Sequence, residues 1–357
     1  MSYQFTEVGT GGVDHVGLDE PTPEQAALWA EIIELVDGTQ ATGVEEYWSH
    51  SLHSDNVWSV FERDGVVYSG GIDERVKAAD ASDGSEIWSH SLHSDNVLSV
   101  FARDGVVYSG SSDGTVKGAD ASNGSEIWSH SLHSDIVFSV FERDGVVYSG
   151  SNDETVKAVD VSDGSEIWSH SLHSDAVRSV FERDGVVYSS GGRFDETVKA
   201  ADASDGSEIW SHSLHSDTVE SVFVRDGVVY SGSSDETVKA VDASDGTEIW
   251  SHSIHSNDVW SVFERDGVVY SGAQDAIGGD GMRVTAAHAS DGTEIWSHSL
   301  HSDRVYSVFV RDDVVYSGSR DETVKAATLV DENGDPIDGE AVSWQLQVSD
   351  GDDWYGV

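Results

Sequence analysis

The chain has 357 residues, 38% of them hydrophobic, with 36 glycines, three prolines and no cysteine. This is a globular composition, and the lack of cysteine excludes disulfides, thiolate chemistry and Cys-ligated metals. Sixty-seven Asp and Glu against 19 Lys and Arg give a formal charge of −48. That charge excludes a phosphate-neutralising grip on nucleic acid and polybasic docking on a membrane. No apolar run approaches the roughly 20 residues of a membrane helix.

Self-repulsion at −48 destabilises a compact chain in dilute buffer. Molar salt relieves it, because the Debye length falls to about 3 Å at 1 M. The acid-rich, lysine-poor composition resembles that of proteins from extreme halophiles. A calcium-loaded surface is the rival explanation, but no D-x-[DN]-x-[DN]-G loop occurs; Asp331–Glu340 comes nearest and carries Pro336 where the loop needs glycine. No cofactor is expected.

The first residues, MSYQFTEVGTGG, lack the basic and apolar regions of a signal peptide, so export by that route is not expected. Residues 1–44 read as an arm. Thr22-Pro23-Glu24-Gln25 is a capping box with proline at the first helical position. Leu28, Ile32, Leu35 and Val36 follow at helical spacing and Gly38 stops the run. The arm therefore carries a short amphipathic helix over 22–37.

From Glu45 the chain repeats. Trp-Ser-His-Ser starts at Trp48, Trp88, Trp128, Trp168, Trp210, Trp250 and Trp296. One unit, from Glu126, contains the strand-like runs EIWSHSL, VFSVFER, VVYSGS and TVKAVD, separated by HSD, RDG, NDE and SDG turns. Four strands in about 40 residues make one propeller blade. Seven such blades close a ring, so residues 45–329 predict an all-β, seven-bladed β-propeller. The strand 45–52 precedes the first three-strand set, and Val305–Leu329 has no Trp strand of its own. Pairing 45–52 with Thr323–Leu329 closes the ring without an open edge; Ala341–Val348 is the competing closure. The tail 330–357 reads, with Thr328–Val330, as strand, acidic turn and strand, a β-hairpin.

The stretch from His133 to Asp160 resembles a WD-repeat unit: the His before the first strand, V-x-S-V within it, SGS-x-D in the second and T-V-K-x-x-D in the third. The Trp of the Trp-Asp pair is replaced by Ala79, Ala119, Val159, Ala201, Val241, Ala287 and Ala327. The family's hydrogen-bond chain is then a triad such as His133, Ser149 and Asp153. The stretch A-V-D-V-S-D-G-S-E-I-W is equally similar to the quinoprotein-type repeat. Both resemblances imply a propeller, and both stay open.

Fourteen of the 16 histidines are repeat positions, which suits structural hydrogen bonding at each blade rather than one distinct catalytic constellation. The informative residues are those that differ between copies. One column runs Asn56, Asn96, Ile136, Ala176, Thr218, Asp258, Arg304. The next runs Trp58, Leu98, Phe138, Arg178, Glu220, Trp260, Tyr306. A third runs Ile72, Ser112, Asn152, Phe194, Ser234, Gln274, Arg320. All three fall on one face of the disc, as do the insertions Gly191–Arg193 and Ala276–Met282. The charges Arg178 and Glu220 argue against full burial of the second column. By the WD-repeat resemblance this face grips partners. Its candidate contacts are Trp58, Arg178, Phe194, Glu220, Trp260, Gln274, Arg304, Tyr306 and Arg320, with Trp58, Trp260, Tyr306, Arg304 and Arg320 forming one patch.

These features point to a non-enzymatic module presenting a variable face to a protein or a surface glycan in high salt, with residues 1–44 and 330–357 meeting assembly neighbours. A structural or host-attachment protein on the particle of a haloarchaeal virus fits the absent signal peptide, the closely duplicated modules and the short flanking arms. An intracellular, cytoplasmic adaptor of a halophile is the alternative. A quinone-dependent enzyme is a third, for which the sequence supplies no distinct acid, base and metal cluster.

Overall fold

The computed structural model describes residues 2–8, 18–19, 41–274, 282–331, 334, 336, 343–349 and 354–356. Residues 44–328 form one compact unit of seven four-stranded antiparallel sheets. Blade three shows the pattern: inner strand Val137–Arg143, then Val146–Ser151, Val156–Asp160 and outer strand Glu166–His170. Its β-branched residues alternate towards the neighbouring blades, and Val137, Val147 and Val156 are fully buried. The first hairpin turns on Asp144 and Gly145, both at positive φ (52° and 84°), the type I′ geometry that matches strand twist.

Blade seven is closed as the repeat spacing predicts. Its first three strands are Val305–Arg311, Val314–Ser319 and Val324–Val330, and its outer strand is Gly43–His50 from the start of the chain. Lys325 Nζ pairs with Glu46 Oε2 at 2.6 Å across that junction. The five other Lys–Glu cross-strand pairs, such as Lys117–Glu126 at 2.9 Å, repeat the contact. Every lysine of the chain is thereby engaged.

Two circuits run round the axis. Each inner strand has a bulge: Val57 faces Gly71 and Ser59 faces Gly70, so Trp58 is left unpaired. The serine beside it accepts a hydrogen bond from the next blade's inner strand. Val100 N donates to Ser59 Oγ at 3.1 Å, and the chain ends where Val60 N donates to Ser307 Oγ at 3.1 Å. Two residues below the serine, Phe61, Phe101, Phe141, Phe181, Phe223, Phe263 and Phe309 touch in sequence. Their centroids lie 4.4–4.8 Å apart all the way round.

The outer strands tie each blade to the next. Trp88 Nε1 donates to Ala121 O at 3.0 Å, and Trp48, Trp128, Trp168, Trp210 and Trp250 make the same bond. The turn that receives it holds a glycine at positive φ; a Cβ on Gly124 would run into Trp88 Cε3 at 2.7 Å and into His90. Trp296 alone of the seven has no acceptor. Blade seven explains this: its third strand runs straight on to Val330 instead of turning at an S-D-G.

Residues 1–43 and 329–357 form the second unit. Its sheet has the order Leu18–Asp19, Ser2–Val8, Ser343–Ser349, Trp354–Gly356. Ser2 pairs with Ser349 and Val8 with Ser343. The tail thus differs from the expected hairpin: Ser343–Ser349 pairs with the N-terminal strand and with Trp354–Gly356, not with the strand that ends at Val330. Val330 forms an isolated bridge with Pro336, and its carbonyl accepts from Thr42 N at 2.8 Å. The register of the acidic turn could not be read because the true partner lies more than 330 residues away. The expected helix 22–37 lies outside the described residues. Among those described there is no helix long and apolar enough to cross a membrane.

Candidate binding site at the channel mouth

The bulge aims the second variable column. An extra unpaired residue bends its strand and redirects its side chain, and here it does so seven times around one axis. Trp58, Leu98, Phe138, Arg178, Glu220, Trp260 and Tyr306 consequently line a single cavity of about 100 Å³. Trp58 stacks on Tyr306 with centroids 4.1 Å apart at 15°. Trp260 stands edge-on to both, at 6.2 and 5.2 Å. Opposite them Arg178 lies over the Phe138 ring, 4.3 Å from its centroid, a cation–π contact.

Arg178 Nε lies 4.0 Å from Glu220 Oε2, and Ser234 Oγ donates to Glu220 Oε1 at 3.1 Å. Glu220 differs from expectation here. Its side chain is only 9% exposed, so the column does bury a charge, with a partner beside it. Burial pushes the Glu220 carboxyl above its ordinary range, and Arg178 and Ser234 draw it only part of the way back. Burial likewise raises the Tyr306 hydroxyl, opposed by Arg304 and Arg320 close by.

Of the expected patch, Trp58, Trp260 and Tyr306 are in mutual contact, with Arg304 and Arg320 near the Tyr306 hydroxyl. The three aromatics pack on one another inside the mouth rather than standing free. Further out, Phe194 is 85% exposed, Arg320 pairs with Asp303 at 3.7 Å, and Gln274 N donates to Asp258 O at 3.1 Å. The insertion Ala276–Met282 lies outside the described residues except for Met282. Two parts of the site were not singled out from sequence. Phe138 belongs to the variable column but was passed over, although it seats Arg178. The phenylalanine circuit was passed over because it does not vary.

The His–Ser–Asp positions form a second feature, complete in six blades among the described residues. His133 Nε2 lies 2.8 Å from Ser149 Oγ and Nδ1 lies 3.1 Å from Asp153. The Thr155 hydroxyl donates to Asp153 at 2.5 Å. Burial raises the Asp153 carboxyl, but hydrogen bonds from Thr155, Ser134 N and His133 outweigh it and leave the pKa at about 2. Desolvation lowers the His133 imidazole against the pull of Asp153. The neutral tautomer therefore donates from Nδ1 to the carboxylate and accepts from Ser149. This has the connectivity of a hydrolase triad, but Ser149 is fully buried, so no substrate carbonyl reaches its oxygen. Among the described residues no three His, Asp or Glu side chains are grouped to hold a metal.

A family model described as outer membrane protein assembly factor BamB, built of PQQ-like repeats, matches residues 34–176, 152–260 and 235–352. The chain belongs to this PQQ-like repeat family. The family membership favours the quinoprotein-type repeat resemblance. No curated protein matches the chain. Among solved structures, the computationally designed Ika8 protein is 24% identical over 80% of this chain and 99% of its own, with a TM-score of 0.63. The WD40 propeller domain of Doa1 is 21% identical over 80% and 97%, with a TM-score of 0.70. These likenesses concern the fold.

Proposed function

We propose that the propeller is a non-enzymatic binding scaffold whose channel-mouth face engages a macromolecule. One observation carries this reading. Seven nearly identical modules vary most in three columns, one of them the bulge residue, and the bulge gathers the residues of that column into one cavity. Aromatic and arginine side chains, the types that dominate interface energies, occupy five of the seven positions. The test is capture of the natural partner, or binding to whole host cells, by wild type and by a Trp58, Trp260, Tyr306 triple-alanine variant. Loss of binding with unchanged melting supports the reading; equal binding refutes it.

Within that reading, the setting we favour is the particle of a virus infecting a halophile, in a structural or host-attachment role. It is supported by the acid excess and by the closely duplicated modules. Proteomics of purified particles against cell lysate separates this from a cytoplasmic adaptor. Melting in 0.1 M and 3 M KCl tests the salt requirement, and equal stability would remove it.

A further inference from the structure

We infer that the channel mouth takes a carboxylate-bearing sugar residue, the terminal unit of an acidic glycan. The inference rests on the face being a binding face and names its ligand class.

The first observation is unpaired donors. Trp58 Nε1, Trp260 Nε1, Arg178 Nε and Arg304 Nε are all shielded from solvent and hydrogen-bonded to nothing. An unmet buried donor costs about 1–3 kcal/mol, and such groups are few in native folds. Four of them gathered at one mouth ask for a ligand rich in acceptors. Glu220 accepts from Ser234 and lies 4.0 Å from Arg178 Nε, too far for a hydrogen bond, so all four donors stay unmet.

The second observation is where the cations outside the repeat pattern lie. All six lysines sit in cross-strand pairs, and seven arginines belong to the R-D-G or R-D-D hairpins at the opposite end of the strands. The remaining six, Arg75, Arg178, Arg193, Arg283, Arg304 and Arg320, all stand at mouth-side strand ends or loops. A chain of charge −48 thus keeps its non-repeat cations on one face.

The third observation is shape. The cavity is of single-residue size, and the phenylalanine circuit closes round the channel deeper along the inner strands. Stacked aromatics and indole N–H groups suit a pyranose ring and its hydroxyls, while Arg178 and Arg304 suit its carboxylate. An acidic peptide would satisfy the arginines, but it would bring several charges against a −48 protein, where a single uronate brings one.

The experiment is calorimetric titration of the full chain with glucuronate, glucose and a hexaglutamate peptide. Binding of glucuronate at least ten-fold tighter than glucose is expected. Arg178→Met and Arg304→Met should each weaken it ten-fold or more, whereas Ile87→Ser on the outer rim should not change it. Circular dichroism checks that each variant is folded. Equal binding of glucose, no saturable heat with glucuronate, or glucuronate binding unchanged in both arginine variants would overturn the assignment. Preferential binding of hexaglutamate would overturn it in favour of a protein ligand. If the sugar titrations are flat while the triple-alanine variant still loses its partner, the glycan assignment alone falls.

Discussion

The two ends of the disc solve opposite problems. At the hairpin end the seven blades carry nearly the same residues, and an Arg–Glu contact recurs at four of the seven seams. Arg311 reaches Glu62 at 3.2 Å, and Arg103 reaches Glu142 at 3.5 Å. At the mouth the backbone repeats just as closely, bulge by bulge, yet the side chains take six residue types in seven copies and include one Arg–Glu pair. Repetition therefore specifies the scaffold, and departure from repetition marks where selection acted on something other than folding.

The widest separation comes from removing a shared wall. Deleting residues 1–50 removes the outer strand of blade seven and exposes the Val324–Val330 edge. We expect an aggregating chain with no cooperative transition, read by size-exclusion chromatography and thermal melting. A monomeric truncation with wild-type melting would show that the seam does not depend on that strand. Exposed strand edges are templates for association.

A single side-chain addition at a repeated glycine comes next. A Cβ on Gly110 would lie 2.7 Å from Val137 Cγ1 and 3.0 Å from Val140 Cγ1. Gly110→Val should cost about 2–3 kcal/mol by overpacking the seam, measured by denaturant unfolding. Gly110→Ser should cost much less, because blade four already carries Ser190 at this position. Ser190 Oγ is buried without a partner, so Ser190→Gly should be neutral or stabilising. At the mouth Leu98→Ala should cost less than Gly110→Val.

The pH dependence follows from the His–Ser–Asp relays. His93 and His133 are held below the ordinary imidazole range by desolvation, against the pull of Asp113 and Asp153. The unfolded chain takes up protons below about pH 6.5 while the folded imidazoles stay neutral, so their contribution is complete above that pH and is lost as pH falls. Asp113 and Asp153, both near pKa 2, add stability that persists above 3.8 and is lost between there and about 2. The melting temperature should fall from pH 7.5 to 5, and His133→Gln should flatten that fall. Buried Glu62, Glu142, Glu182 and Glu264 have raised pKa values, chiefly through desolvation, and oppose the trend at its acid end.

Much of this architecture was legible because it was written seven times. The Trp-Ser-His-Ser spacing gave the blade count, and the lone strand before the first set located the closure. The site was legible in part: the variable columns were visible, but the bulge that turns residue 58 and its equivalents into the channel was not. A bulge depends on pairing Val57 with Gly71 and Ser59 with Gly70, a register that alternation alone does not reveal. The setting of Glu220 was hidden for the same reason, since Ser234 reaches it only through the bulged pairing within its blade and Arg178 only when the neighbouring blade packs beside it. The terminal sheet was hidden by sequence separation, because Ser2–Val8 and Ser343–Ser349 share no local signal.

The smallest effect is also the finest test of repetition. Six outer-strand tryptophans donate to the following blade's turn, and Trp296 does not, because blade seven lacks that turn. Trp128→Phe removes a 2.8 Å bond to Val161 O together with part of a buried ring. Trp296→Phe removes a comparable part of a buried ring and an indole N–H that already has no acceptor. The packing losses are similar, so the difference between the two variants isolates the hydrogen bond, worth about 1 kcal/mol net. Denaturant unfolding of both proteins should find Trp128→Phe the less stable by about that amount. Equal losses would mean that Trp296 finds an acceptor in solution, and that the seam between blades six and seven is built like the other six.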